Sequence, residues 1–185
     1  MSTAATVATP YPTRLASEPV VTPRRDPVIW GDPGPGPLTS TDLATYERDG
    51  FLSLEELVDA SGVAELRREV DRLVAEAEPG DERIITERGN DAVRSIFEVH
   101  RRSDVFAQLA ADPRLKGMAT QILGSEVYLH QSRLNLKPGF RGKEFYWHSD
   151  FETWHAEDGM PRMRALSLSL SLTPNEAWNG SLLVI

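Results

Sequence analysis

The chain has 185 residues, enough for one domain with a real core. It has no cysteine, which excludes disulfides and thiolate metal sites, so any metal must sit on His, Asp or Glu. A net charge of −8 gives no global attraction for nucleic acid or an anionic membrane surface, and no apolar run approaches transmembrane length. The N-terminus lacks a charged region followed by an apolar one, so no secretory signal is expected and a soluble cytoplasmic protein is the default.

Residues 1–37 hold eight of the chain's 13 prolines. Proline removes a backbone donor and fixes φ, so this stretch is expected as a largely disordered leader in which Val28, Ile29 and Trp30 can dock locally. The globular part, 38–185, opens with a short helix capped by Ser40 or Thr41, carrying Leu43 and Tyr46 and ended by Gly50. Phe51 to Leu54 is expected as a short strand. From Gly62 to Ala77 the apolar residues Val63, Leu66, Val70, Leu73, Val74 and Ala77 share one face of a helix, and Pro79-Gly80 ends it. Asp112 and Pro113 form an N-cap followed by proline at the first helical position, and Gly124 closes that helix.

From Glu126 the period changes to two. Strands are expected over Glu126 to Leu129 and Ser132 to Lys137, with a turn at Pro138-Gly139. Ala165 to Leu172 alternates strictly, four leucines against three serines, which predicts a half-buried strand with a polar face. Ser181 to Ile185 reads as the start of another apolar strand that ends abruptly. Helices first and strands later predict an α+β chain, a helical layer covering a β-sandwich.

The densest chemistry lies at Phe145 to Pro161, around His148-Ser149-Asp150. On an extended segment residues i and i+2 point the same way, so this imidazole and carboxylate can reach one metal ion. With a distant second histidine they would make the facial triad of non-haem iron(II) oxygenases. The bland alternative is a hydrogen-bonded His–Asp pair inside a cluster of Phe145, Trp147, Phe151 and Trp154, aromatics that can also exclude water from a metal. His155, five residues after Asp150, is a further imidazole in the same stretch. His100 and His130 are expected to be hydrogen-bonded structural residues.

The string F-x-W-H-S-D-F-E-T-W-H-x-E-D-G-M-P resembles the signature of the ectoine hydroxylases, a group of phytanoyl-CoA-dioxygenase-like iron(II)/2-oxoglutarate oxygenases. His130 to Asn135 and Arg94 to Phe97 are similar to that family as well, and the likeness runs from about Thr39 to Ile185. The resemblance implies a double-stranded β-helix (jelly roll, cupin-like) with flanking helices. It also implies hydroxylation of ectoine by O2 and 2-oxoglutarate, and a possible homodimer at full length. His148 and Asp150 would be the iron(II) ligands. Arg133 and Asn135 would hold 2-oxoglutarate with Phe97 nearby; a guanidinium suits a carboxylate because its fork donates two parallel hydrogen bonds. A sheet-edge salt bridge is the other reading of Arg133, and plain core the other reading of Phe97. Gln131 and Trp154 would line the ectoine pocket, and Ser167 and Ser169 would face cosubstrate or substrate, or else solvent. Family members carry their second iron-binding histidine, and an arginine for 2-oxoglutarate, beyond the position matching Ile185. The chain is therefore expected to be C-terminally incomplete and inactive alone. The alternatives are a related hydroxylase of another small amino-acid derivative, and a non-catalytic remnant.

Overall fold

The computed structural model describes residues 11, 23–78, 80–87, 89, 91–137, 145 and 147–184. In chain order the elements are α1 (Ser40–Asp49), α2 (Ala60–Ala75), β1 (Ile84–Thr86), β2 (Val93–Phe97), α3 (Val99–Arg102), α4 (Asp104–Ala110), α5 (Pro113–Leu123), β3 (Arg133–Asn135) and α6 (Asp150–Ala156). The class is α+β, as expected, but the order is not helices followed by strands: β1 and β2 form a hairpin between α2 and α3.

Each helix end follows from its own residues. Thr39, not Ser40 or Thr41, caps α1: its hydroxyl accepts the Asp42 N–H while the Asp42 carboxylate accepts the Thr39 N–H, a reciprocal capping box. Gly50 closes α1 at φ 78, a conformation that costs a residue with a Cβ roughly 1–2 kcal/mol. Helix α2 starts two residues earlier than its apolar period suggests, because Asp59 accepts the Gly62 N–H at 2.7 Å and draws Gly62 into the first turn. Asp112 caps α5 ahead of Pro113, and Gly124 ends it, as the sequence predicts.

The sheet is antiparallel, ordered β1-β2-β3, with Ile84 opposite Ile96 and Ile96 opposite Leu134. Those three side chains share the face that meets Leu66, Val70 and Leu73 of α2, Val99 of α3 and Phe106 of α4. Ile96 is fully buried, which is worth roughly 1.5–3 kcal/mol. Leu38, Met118 and Ile122 form a second cluster between α5 and the start of α1, joined by Leu43, Tyr46, Leu52 and Leu57. The amide of buried Gln121 ties the N-terminal segment to α5: it accepts the Leu38 N–H at 2.8 Å and donates to the Gly34 and Leu38 carbonyls, both at 3.1 Å. Trp30 docks against the same helix end, its N–H bonding the Ile122 carbonyl at 2.8 Å.

Several expected strands are absent. Phe51 to Leu54 and Glu126 to Leu129 join no ladder, and Phe51, Leu54, Tyr128 and Leu129 are exposed. The strand expected over Ser132 to Lys137 contracts to β3. Ala165 to Leu172 pairs with no strand among the described residues. Its leucines also part company: Leu166 meets the second cluster, Leu170 and Leu172 meet the first, and Leu168 stays exposed. Ser181 to Val184 forms no strand, and Leu182, Leu183 and Val184 are exposed. Alternation records a two-faced environment, whereas a strand also needs a neighbouring backbone for its N–H and C=O groups. Pro79, the Pro138-Gly139 turn and Ile185 lie outside the described residues.

Candidate metal centre

Asp150 is the first residue of α6, and Ser149 stands at its N-cap in extended conformation (φ −105, ψ 123). The pair His148-x-Asp150 thus straddles a helix start and does not lie on a strand. The turn still brings the side chains together: His148 Nε2 is 3.3 Å from Asp150 Oδ1. Two neighbouring ligands at right angles on an ion, each bonding at about 2.1 Å, would lie about 3.0 Å apart, so the observed spacing suits two adjacent corners of one coordination sphere. The second carboxylate oxygen accepts the Ser167 hydroxyl at 3.1 Å. Asp150 is thereby held from two sides, with Oδ1 toward His148 and Oδ2 toward Ser167. His148 is half exposed, so the pair is open to solvent.

Among the described residues no group of three His, Asp or Glu side chains gathers to hold a metal. His155 is engaged elsewhere: its Nδ1 lies 2.6 Å from the Tyr11 hydroxyl and its ring stacks on Phe151. His100 and His130 make the structural contacts expected of them. His100 Nδ1 meets the Ser132 hydroxyl at 2.5 Å, and His130 Nε2 meets Asp158 at 3.4 Å. The aromatic shell is only partly built. Phe151 is buried and Trp154 half-buried, but Trp147 is 62% exposed and Phe145 is exposed on one side, with the Arg94 guanidinium over its ring at 4.0 Å. A ring in this short, turning segment is buried only where a neighbouring element covers it.

The residues expected around 2-oxoglutarate share one surface. Phe97 pairs across the sheet with Arg133, and Ser95 with Asn135, all on the face opposite the Ile96–Leu134 core. The Ser95 hydroxyl donates to the Asn135 side-chain oxygen at 3.0 Å, which orients that amide. Arg133 is exposed, and so is Gln131 two residues before it. Trp154 is met edge-on by the His130 ring at 5.4 Å. Ser167 and Ser169 are both exposed, and Ser167 reaches Asp150. The sequence reading missed Asp26, whose carboxylate accepts from Arg162 Nε at 2.6 Å and from the Met163 N–H at 2.7 Å. An acidic residue facing a basic patch 136 positions away leaves no local signal.

The model of the phytanoyl-CoA dioxygenase (PhyH) family matches residues 46–185. The chain belongs to this family. Within it, the ectoine dioxygenase of Streptomyces coelicolor is 54% identical over 177 residues, which is 95% of this chain and 59% of the relative. The ectoine dioxygenase of Halomonas elongata is 51% identical over 180 residues, 95% of this chain and 54% of the relative. The chain thus spans little more than half the length of these curated relatives. Among solved structures, EctD from S. alaskensis with 2-oxoglutarate and 5-hydroxyectoine superposes with a TM-score of 0.74 at 49% identity, covering 82% of this chain and 54% of that one. The Fe-bound structure of the same protein gives a TM-score of 0.71 at 51% identity, covering 77% and 51%. No helix among the described residues of this family member is long and apolar enough to cross a membrane.

Proposed function

We propose that the full-length protein is an iron(II)- and 2-oxoglutarate-dependent dioxygenase that hydroxylates ectoine to 5-hydroxyectoine. The balanced reaction consumes ectoine, 2-oxoglutarate and O2 and yields 5-hydroxyectoine, succinate and CO2. The observation that carries this reading is the 3.3 Å approach of His148 Nε2 to Asp150 Oδ1, in a chain whose relatives are named ectoine dioxygenases. The ligand types suit the metal: one imidazole and one carboxylate are two thirds of the facial set that holds non-haem iron(II). When bound, iron(II) supplies the activation of O2.

The chain's own residues supply geometry. His148 and Asp150 would hold the metal, and Ser167 keeps the Asp150 carboxylate turned with Oδ1 toward His148. Arg133 and Asn135 bind 2-oxoglutarate through its carboxylates, and Phe97 gives that site an apolar wall. Gln131 and the Trp154 face hold ectoine, whose ring is amidinium-like and therefore suits an aromatic face and an amide. Ser169, two residues beyond Ser167, adds a hydroxyl on the substrate side. In this reading 38–185 is part of a jelly-roll dioxygenase domain, 1–37 precedes it, and the protein works in the cytoplasm as a homodimer.

The test is product analysis on the purified full-length protein supplied with iron(II), O2, 2-oxoglutarate and ectoine. Ectoine-dependent succinate and 5-hydroxyectoine are expected in equal amounts, and both vanish in His148→Ala and Asp150→Ala. Undiminished product from Asp150→Ala would reject the metal assignment. Succinate that does not depend on ectoine would reject the substrate.

A further inference from the structure

We propose that the segment Asp26–Trp30 is a positioning strap for the candidate metal centre, a role that rests on reading His148 and Asp150 as iron ligands. The strap holds Met163 by both of its backbone polar groups. The Asp26 carboxylate accepts the Met163 N–H at 2.7 Å, and the Trp30 indole N–H donates to the Met163 carbonyl at 3.2 Å. Two side chains thereby do for Met163 what a neighbouring strand does in a sheet. Around this clamp, Asp26 also pairs with Arg162, and the Trp30 ring lies under two guanidinium groups, Arg162 at 5.3 Å and Arg164 at 5.1 Å. Arg24 stiffens the strap by donating to the carbonyls of Asp26 and Pro27 at 2.8 and 3.0 Å.

The far side of the clamp is anchored as well. The Trp30 N–H bonds the Ile122 carbonyl, and Arg164 donates to the carbonyls of Leu123 and Gly124 at 2.9 and 3.2 Å. Gly124 is required there twice over: its φ of 61 is left-handed, and a Cβ would collide with the Trp30 carbonyl. The end of α5 is thus a fixed post to which both the strap and Arg164 are tied.

What the strap positions is four residues on. Ser167 donates to Asp150, yet 162–167 joins no ladder among the described residues, so backbone pairing there does not set where Ser167 sits. The Met163 clamp restricts that run from one end. Separately, Tyr11 meets His155 on α6, the helix that Asp150 begins. The N-terminal segment therefore touches both the helix that carries Asp150 and the run that carries Ser167. Residues that orient metal ligands typically change metal affinity 10- to 100-fold when lost, and one step further out the lower end of that range applies.

The experiment compares Asp26→Ala, Trp30→Ala and Trp30→Phe with wild type in the full-length protein, with His148→Ala alongside. Segment-resolved amide exchange and anaerobic iron(II) affinity against a competing chelator are read for each. Faster exchange in 160–168 is expected in Asp26→Ala and Trp30→Ala, with α2 and β2 unchanged and iron affinity lowered about tenfold. Trp30→Phe keeps the ring but loses the indole N–H, so it falls between. Wild-type iron affinity in the strap variants, with affinity lost in His148→Ala, overturns the strap alone. Equal acceleration in α2 and β2 also overturns it, since the effect is then general loosening. Unchanged affinity in His148→Ala overturns the metal assignment instead. Should Trp30→Ala not fold, Trp30→Phe decides by the same readings.

Discussion

At the scale of single residues, Asp150 carries two distinct contacts, and they can be separated. Removing the carboxylate takes away a ligand, whereas removing Ser167 only frees the carboxylate to turn. Ser167→Ala is accordingly expected to lower iron(II) affinity about tenfold without abolishing it, at the mild end for groups that orient a ligand. A chelator titration of the full-length variant checks this, and a value equal to wild type would mean that the 3.1 Å hydrogen bond has no role. Glu69 is a residue-scale effect on stability. Arg72 grips its carboxylate with two hydrogen bonds at 2.9 and 2.6 Å, and with help from Ser103 holds its pKa at about 2. The folded value lies below the unfolded one of about 4.3. This stabilisation is therefore complete above about pH 4.5 and is lost as pH falls toward 2. Glu69→Gln should be less stable than wild type at neutral pH, and the gap in urea midpoint should narrow by pH 3. A gap that stays constant would show that the carboxylate charge is not the cause.

At the scale of elements, most helix ends were legible because caps are local. Gly50, Gly124, Asp112 and Pro113 do what their residue types dictate. The start of α2 is not legible in the apolar period, which begins only at Val63, because the Asp59 cap sets it. The contact between α5 and the N-terminal segment was not legible. Three hydrogen bonds converge on the buried Gln121 amide from residues 83 and 87 positions away. Gln121→Leu leaves the Leu38 N–H and two carbonyls without that partner, and such orphaned groups cost about 1–3 kcal/mol each. A net loss of about 2 kcal/mol is expected after partial rehydration, read as a lowered urea midpoint. A change below about 0.5 kcal/mol, ordinary for a surface substitution, would mean that the segment does not depend on this amide.

At the scale of the whole chain, the exposed apolar side chains dominate. Leu168, Trp178, Leu182, Leu183 and Val184 are all 46% exposed or more. Scattered single cases are normal on a surface, but an uncharged apolar run such as Leu182 to Val184 invites pairing with other chains. A polypeptide of these 185 residues alone is expected to bind a hydrophobic dye and to self-associate despite its charge of −8. Leu183→Lys should reduce the association. Light scattering checks it, and a monodisperse monomer with no dye binding would show the apolar surface to be harmless.

The family, the His148-x-Asp150 pair and the caps at Gly50, Asp112 and Gly124 were determined by sequence alone, because each rests on residues within a few positions of one another. A distinctive string marks ancestry, spacing sets which side chains can converge, and a cap needs only its own turn. Tertiary structure decided the rest. It placed Phe97, Arg133 and Asn135 on one face through strand register. It turned Ser167 toward Asp150, although the alternation treats Ser167 and Ser169 alike and both are exposed. It also fastened a proline-rich stretch, expected to be largely disordered, to Met163 through Asp26 and Trp30. Such pairings join residues more than a hundred positions apart, and no local propensity or period encodes which distant backbone a carboxylate or an indole N–H will meet.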